Sequence, residues 1–171
     1  MRFHTITALT ALLPLIVASP LAAKAPAGPK AEIAKVLTRQ LKGGYARHSQ
    51  AEIVRAIKPV DINGDGIQDY QVNFTVFGSA WCGTGGCRYQ LWLGRKSGAP
   101  IRVFDRQMRD LSIERRGARN VFVFDFHGSE CGGYGAEACP GEFSWNAKRG
   151  RMVLLPTPAK HTAVSDPFDR L

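Results

Sequence analysis

Residues 57–76 read IKPVDINGDGIQDYQVNFTV, and the apolar period changes inside this stretch. After the glycines, Tyr70, Val72, Phe74 and Val76 alternate with Gln71, Asn73 and Thr75, which describes a strand with one buried face. Before it the period is helical. Ile33, Val36, Leu37 and Leu41 recur at helical spacing from Pro29 to Leu41, and Gly43-Gly44 stops the pattern. Ser49 with Glu52 three residues later forms a capping box for a second short helix over Gln50 to Ile57, which Pro59 ends. The same residues also suit a strand.

Downstream the period of two persists at Tyr89, Leu91 and Leu93, at Ile101 with Val103, and at Leu111 with Ile113. Lys96-Ser97-Gly98 and Arg116-Gly117 supply turns between them. Residues 121–126, VFVFDF, are apolar on both faces, the pattern of a central strand covered on both sides. Phe143 and Trp145 open a last hairpin that turns through Ala147 to Gly150 and returns over Met152 to Leu155. The expected fold is α+β: one or two N-terminal helices, then an antiparallel meander of about seven strands, as a curled sheet or a small barrel-like sandwich.

The first segment, MRFHTITALTALLPLIVASPLAAKA, has a positive start at Arg2, an apolar run from Ala8 to Ala18, and small residues around Ala22, Ala23 and Ala25. Residues 1–25 therefore read as a signal peptide. The run is shorter than the ~20 residues that span a bilayer, and no Cys follows it to carry a lipid. The expectation is an exported protein, periplasmic or secreted and not integral to a membrane. It would have one domain over residues 26–155 and an irregular tail over 156–171. Cleavage removes Arg2 and Lys24, so the formal charge falls from +9 to +7. Such an excess either keeps the chain soluble or favours anionic partners. Its densest run is Arg115, Arg116 and Arg119, beside Lys148, Arg149 and Arg151. No sequence-specific nucleic-acid motif accompanies it.

All four cysteines, Cys82, Cys87, Cys131 and Cys139, lie beyond the signal segment. An even count in an oxidising compartment reads as two disulfides. The local pairs Cys82–Cys87 and Cys131–Cys139 each bracket a glycine-rich loop, and each closure would add ~2 kcal/mol. Crossed pairs remain open if the two loops meet. The C-x4-C spacing is not that of a thioredoxin-like site, and the spacings fit no common zinc module. GTGG at 83–86 lacks the Lys-Ser/Thr of a phosphate-binding loop.

Residues 61–70, DINGDGIQDY, carry the sharpest chemical signal. Asp61, Asn63, Asp65, the Ile67 carbonyl and Asp69 fall at alternate positions, the pattern with which a flexible loop offers oxygens to calcium. Gly64 and Gly66 let the chain turn back. A metal-free Asp/Asn/Gly turn is the other reading. An EF-hand would carry a bidentate Glu at the twelfth position, where this chain has Val72. The stretch resembles the calcium loops of the FG-GAP and VCBS families, D-x-N-x-D-G-x-x-D, at Asp61, Asn63, Asp65, Gly66 and Asp69. That resemblance covers one loop and implies a structural calcium ion.

His127 lies beside Asp125, Ser129 and Glu130, but there is no G-x-S-x-G elbow, and the residue reads as one that ends a strand and orders the next loop. His48 and His161 sit in loop-like segments without partners in sequence. Trp81, His127 and Tyr134 on the stapled loops form a candidate binding surface. The expected function is binding, to a protein or an anionic envelope component, by a disulfide-stabilised envelope protein. A hydrolase of envelope glycan or peptide using His127, Glu130 and Asp125 is the first alternative. A periplasmic inhibitor or a purely structural protein is the second.

Overall fold

The chain's computed structural model describes residues 28–42, 47–135 and 137–156. The expected signal segment, Gly43-Gly44, His161 and all but the first residue of the expected tail lie outside them.

Helix α1 (Pro29–Leu41) begins on a proline, whose fixed φ suits the first turn, and buries Ile33, Ala34, Leu37 and Leu41. Helix α2 (Gln50–Ala56) starts with the capping box complete: the Glu52 N–H donates to Ser49 Oγ at 3.2 Å and the Ser49 N–H to Glu52 Oε2 at 2.8 Å. It is one residue shorter than the expected Gln50 to Ile57. Ile57 turns into an extended conformation and opens strand β1 (Ile57–Val60), which among the described residues pairs only with β2 (Asp69–Asn73). Pro59 is tolerated there because an edge strand leaves one side unpaired.

The strand expected over Tyr70 to Val76 is likewise cut short. The Asn73 side chain accepts the Thr75 N–H at 2.9 Å, and Phe74–Phe77 curl into a 3₁₀ turn that puts both phenylalanines in the core. A second such turn, Ser79–Trp81, leads to β3 (Cys82–Gly83) and β4 (Gly86–Leu93), followed by β5 (Ile101–Met108). These make a five-stranded antiparallel sheet, A, in which β4 has β5 on one side and β2 and β3 on the other. Strands β6 (Asp110–Arg116), β7 (Arg119–His127), β8 (Ala138–Asn146) and β9 (Arg151–Leu154) form a second, four-stranded meander, B. The described residues thus hold nine strands where about seven were expected, because β1 and the two-residue β3 carry too few residues to show a period.

Sheet A is the middle layer. On one face Tyr70, Val72 and Trp92 pack with Phe74 and Phe77 against both helices. Buried Gln90 is satisfied there, accepting the Trp92 indole N–H at 3.1 Å and donating to Gln40 and Asp105. On the other face Tyr89, Leu91, Phe104 and Met108 meet sheet B, which supplies Leu111, Phe122, Phe124, Phe126, Phe143 and Met152. The Ile101/Val103 alternation gives only part of the inward face of β5. The register slips between Leu91↔Phe104 and Trp92↔Arg102, and this bulge brings Phe104 inward beside Val103, which packs on the core between the sheets, while Ile101, opposite Leu93, is exposed.

Strand β7 is central in its sheet but covered by another layer on its phenylalanine face alone, not on both. On the other face Arg116 reaches from β6 to Glu142 on β8 at 2.6 Å while also holding Glu114 at 2.6 Å. Glu114 stands opposite Val121 and Glu142 opposite Val123, so this bridge crosses β7 at the two valines. The VFVFDF pattern reflects shielding by charged side chains with apolar stems rather than a third layer.

Candidate functional site

The two ends of the sandwich differ in chemistry. At one end lies DINGDGIQDY, joining β1 to β2. Asp61 Oδ1 accepts the Gly64 N–H at 2.7 Å, Asn63 Oδ1 accepts from Asp65 at 3.1 Å, and Asp65 Oδ1 accepts from Ile67 at 2.7 Å. Gly64 and Gly66 adopt φ of 73° and 76°, which lets the chain fold back at each step. Asp69 behaves differently. It is fully buried, with Oδ2 accepting the Ile62 N–H at 2.9 Å and Oδ1 the Gly94 N–H at 2.8 Å. Burial pushes its carboxyl above the ordinary value, although the two amides pull the other way, and nearby Asp65 adds a like charge. Asn120 ties the loop to sheet B by donating to the Asp61 carbonyl at 2.6 Å.

Asp61, Asn63, Asp65, the Ile67 carbonyl and Asp69 are oxygen donors of the type that hard cations take, and each carboxylate oxygen keeps a lone pair beyond its hydrogen bond. Asp61, Asn63 and Asp65 are the groups on the solvent side, and the Ile67 carbonyl lies between them and Asp69 in sequence. Their side chains do not converge into a group of three acidic or metal-binding residues among the described residues. Calcium ligation by Asp69 would add to a structural role that it already has.

The other end is where the cysteine loops meet. The local pairs form: Cys82–Cys87 staples the β3–β4 hairpin and Cys131–Cys139 ties a 3₁₀ turn, Gly128–Cys131, to the start of β8. Gln107 on β5 donates to the Gly86 carbonyl at 2.7 Å and lies against Gly85, whose other neighbour is the His127 ring. Gly86 must be glycine, with φ of 89° and a missing Cβ that would run into the Met108 carbonyl. Two depressions share Arg106 and Gln107 as a common wall. One, about 420 Å³, also has Trp81, Arg88 and Asp105; the other, about 410 Å³, has Gly85, His127, Ser129 and Glu130.

Charges in this groove are paired. Arg88 grips Asp105 through two nitrogens at 2.6 Å each, and Arg106 lies 3.6 Å from Glu130. The Trp81 ring packs on Phe74 at 5.2 Å between centroids, and its buried indole N–H has no hydrogen-bond partner among the described residues. His127 ends β7, and its Nδ1 lies 2.8 Å from Ser129 Oγ and accepts the Ser129 N–H at 3.4 Å. Asp125 is engaged elsewhere, accepting the Cys139 N–H at 2.9 Å and lying 3.6 Å from Arg109. His127, Glu130 and Asp125 therefore do not form one relay. Tyr134 stands apart from both depressions, 83% exposed. His48 packs edge-on against Phe77 at 5.0 Å.

No family model matches the chain, and neither a curated protein nor a solved structure does.

Trp81 and His127, expected on the binding surface, each line one of the two depressions, and so do Arg88, Asp105, Arg106 and Gln107, which sequence reasoning did not single out. The available signal was the run of polar residues inside β4 and β5, where an alternating strand should bury apolar ones. Two disulfides fit an oxidising environment. No helix among the described residues is long and apolar enough to cross a membrane.

Proposed function

We propose that this chain is an exported binding protein whose partner is a polypeptide seated in the groove between the two cysteine loops, with a structural calcium ion in DINGDGIQDY. The observation that carries the first part is the convergence of two separately stapled loops on one wall, Arg106 and Gln107. Loops held by covalent closure lose little entropy on binding. Because Arg88–Asp105 and Arg106–Glu130 are internally paired, the groove offers hydrogen-bond donors and acceptors rather than a net field, which suits the amides of an extended chain.

Peptides selected from a displayed random library on the oxidised protein test this reading. Gln107→Ala should weaken the selected peptides by about tenfold, the loss of roughly 1.4 kcal/mol, and reduction of the disulfides should abolish binding. Peptides indifferent to both changes would sink the groove as a site. The hydrolase alternative draws on the His127–Ser129 contact. It predicts peptide cleavage by the wild type that His127→Ala removes, whereas a capping histidine predicts none.

The calcium reading rests on the donor set and on the buried, raised Asp69 carboxyl, which a divalent cation would relieve. An exported loop without a bidentate Glu should bind at roughly 10⁻⁵ to 10⁻³ M. Calcium at ~100-fold excess should then add ~2.7 kcal/mol to stability. A calcium-specific rise in Tm, absent with magnesium and lost in Asp61→Ala or Asp65→Ala, is expected; identical melting curves in calcium and EDTA would leave a polar turn.

A further inference from the structure

The meander of sheet B puts both of its tight hairpin turns at the end of the sandwich that carries DINGDGIQDY. The β6–β7 hairpin holds Arg115, Arg116 and Arg119, and the β8–β9 hairpin holds Lys148, Arg149 and Arg151. Arg116 pairs in register with Arg119 and Arg151 with Asn146, and β7 neighbours β8. The two tips therefore stand two strand spacings apart, about 10 Å. Arg116 is held by Glu114 and Glu142, the acidic residues of these hairpins at this end. Arg115, Arg119, Lys148 and Arg149 are exposed.

We propose that these two hairpin tips bind a linear anionic polysaccharide, at a surface separate from the groove. Guanidinium forks match carboxylate and sulfate groups, and a row of cations on two adjacent turns gives a polymer successive contacts. The end as a whole is less suited to a flat anionic membrane. From sheet A it presents Asp61 and Asp65, and Arg119 lines the same small cleft as Asp61 and Asn63. In the calcium-free protein a membrane pressed against this end would meet those carboxylates, whereas a chain lying across the tips of sheet B need not. Neither hairpin has an exposed large apolar side chain to insert into lipid or stack on bases.

Heparin is the probe, titrated into the oxidised protein in EDTA at low and moderate salt, beside neutral dextran, phosphatidylglycerol vesicles and duplex DNA. Heparin should bind and dextran should not, and affinity should fall as salt rises. Lys148→Ala/Arg149→Ala should weaken heparin binding by about tenfold or more, and Arg119→Ala by several-fold, at unchanged Tm. Lys30→Ala/Arg55→Ala, on the helices beyond sheet A, removes the same charge and should change affinity less than about twofold. The proposal fails if heparin does not bind, or if the helix pair matters as much as the hairpin pair. It also fails if vesicles or DNA bind more tightly than heparin through the same hairpin residues.

Discussion

Phe124→Ala should lower the unfolding free energy by about 3–5 kcal/mol and Tm by roughly 10 °C or more. Phe124 is fully buried where the two sheets face each other, stacked on Phe104 of sheet A at 5.0 Å and edge-on to Phe143 of β8 at 4.9 Å. Phe122 and Phe126 on its own strand lie at 6.3 and 5.7 Å. Truncation removes the transfer energy of a ring and opens a cavity that neighbours on two different sheets cannot both move to fill. Against a typical total of about 5–15 kcal/mol, such a loss would leave the domain marginal. Urea unfolding at constant m-value is the measurement. A loss below about 1 kcal/mol would show that the sheets are not clasped through this ring.

Asp69→Ala should cost about 2–5 kcal/mol with EDTA present, a larger effect than Asp61→Ala or Asp65→Ala under the same condition. Its carboxylate satisfies two backbone amides, Ile62 and Gly94, that are 25 residues apart from it at the farther contact and bring the β1–β2 loop to the end of β4. Without it both buried N–H groups are left unpaired, at about 1–3 kcal/mol each. The pH dependence has a definite sign. Burial raises the folded-state pKa of Asp69, so the folded chain holds a proton there more tightly than the unfolded one. That contribution is present at low pH and is lost as pH rises through the raised value. The stability gap between wild type and Asp69→Ala should therefore widen as pH falls from neutral, and a gap that narrows would show that the carboxyl is not raised. The proposed calcium site separates the roles further: Asp61→Ala and Asp65→Ala should each lose the calcium-dependent part of stability and the small contribution of one exposed loop hydrogen bond, Asp69→Ala that part and two buried amide partners.

The sequence placed the site unevenly. Trp81 and His127 stand out in the sequence because cysteine loops with aromatic or titratable residues are unusual in composition. Arg106 and Gln107 were invisible, since a polar residue in a strand looks the same whether it faces solvent or a second loop. Asp69 was legible as an oxygen donor at alternate spacing. Its engagement with Gly94 was not, because nothing local to either residue points to the other.

What the amino-acid order determined by itself is what neighbours within a few residues decide. The capping box at Ser49 and Glu52, the turns at Gly98, Gly117 and Gly150, and the α+β succession all follow from short-range hydrogen bonding and φ preference. Tertiary structure decided the rest: the division of nine strands between two sheets, the bulge that turns Phe104 inward, the curl of Phe74–Phe77, the convergence of the two cysteine loops, and the gathering of six cations on two adjacent tips. Each depends on which distant segment a strand pairs with. A period of two specifies that a strand has two faces, but leaves the partner on either edge and the layer against each face to the packing of the whole chain.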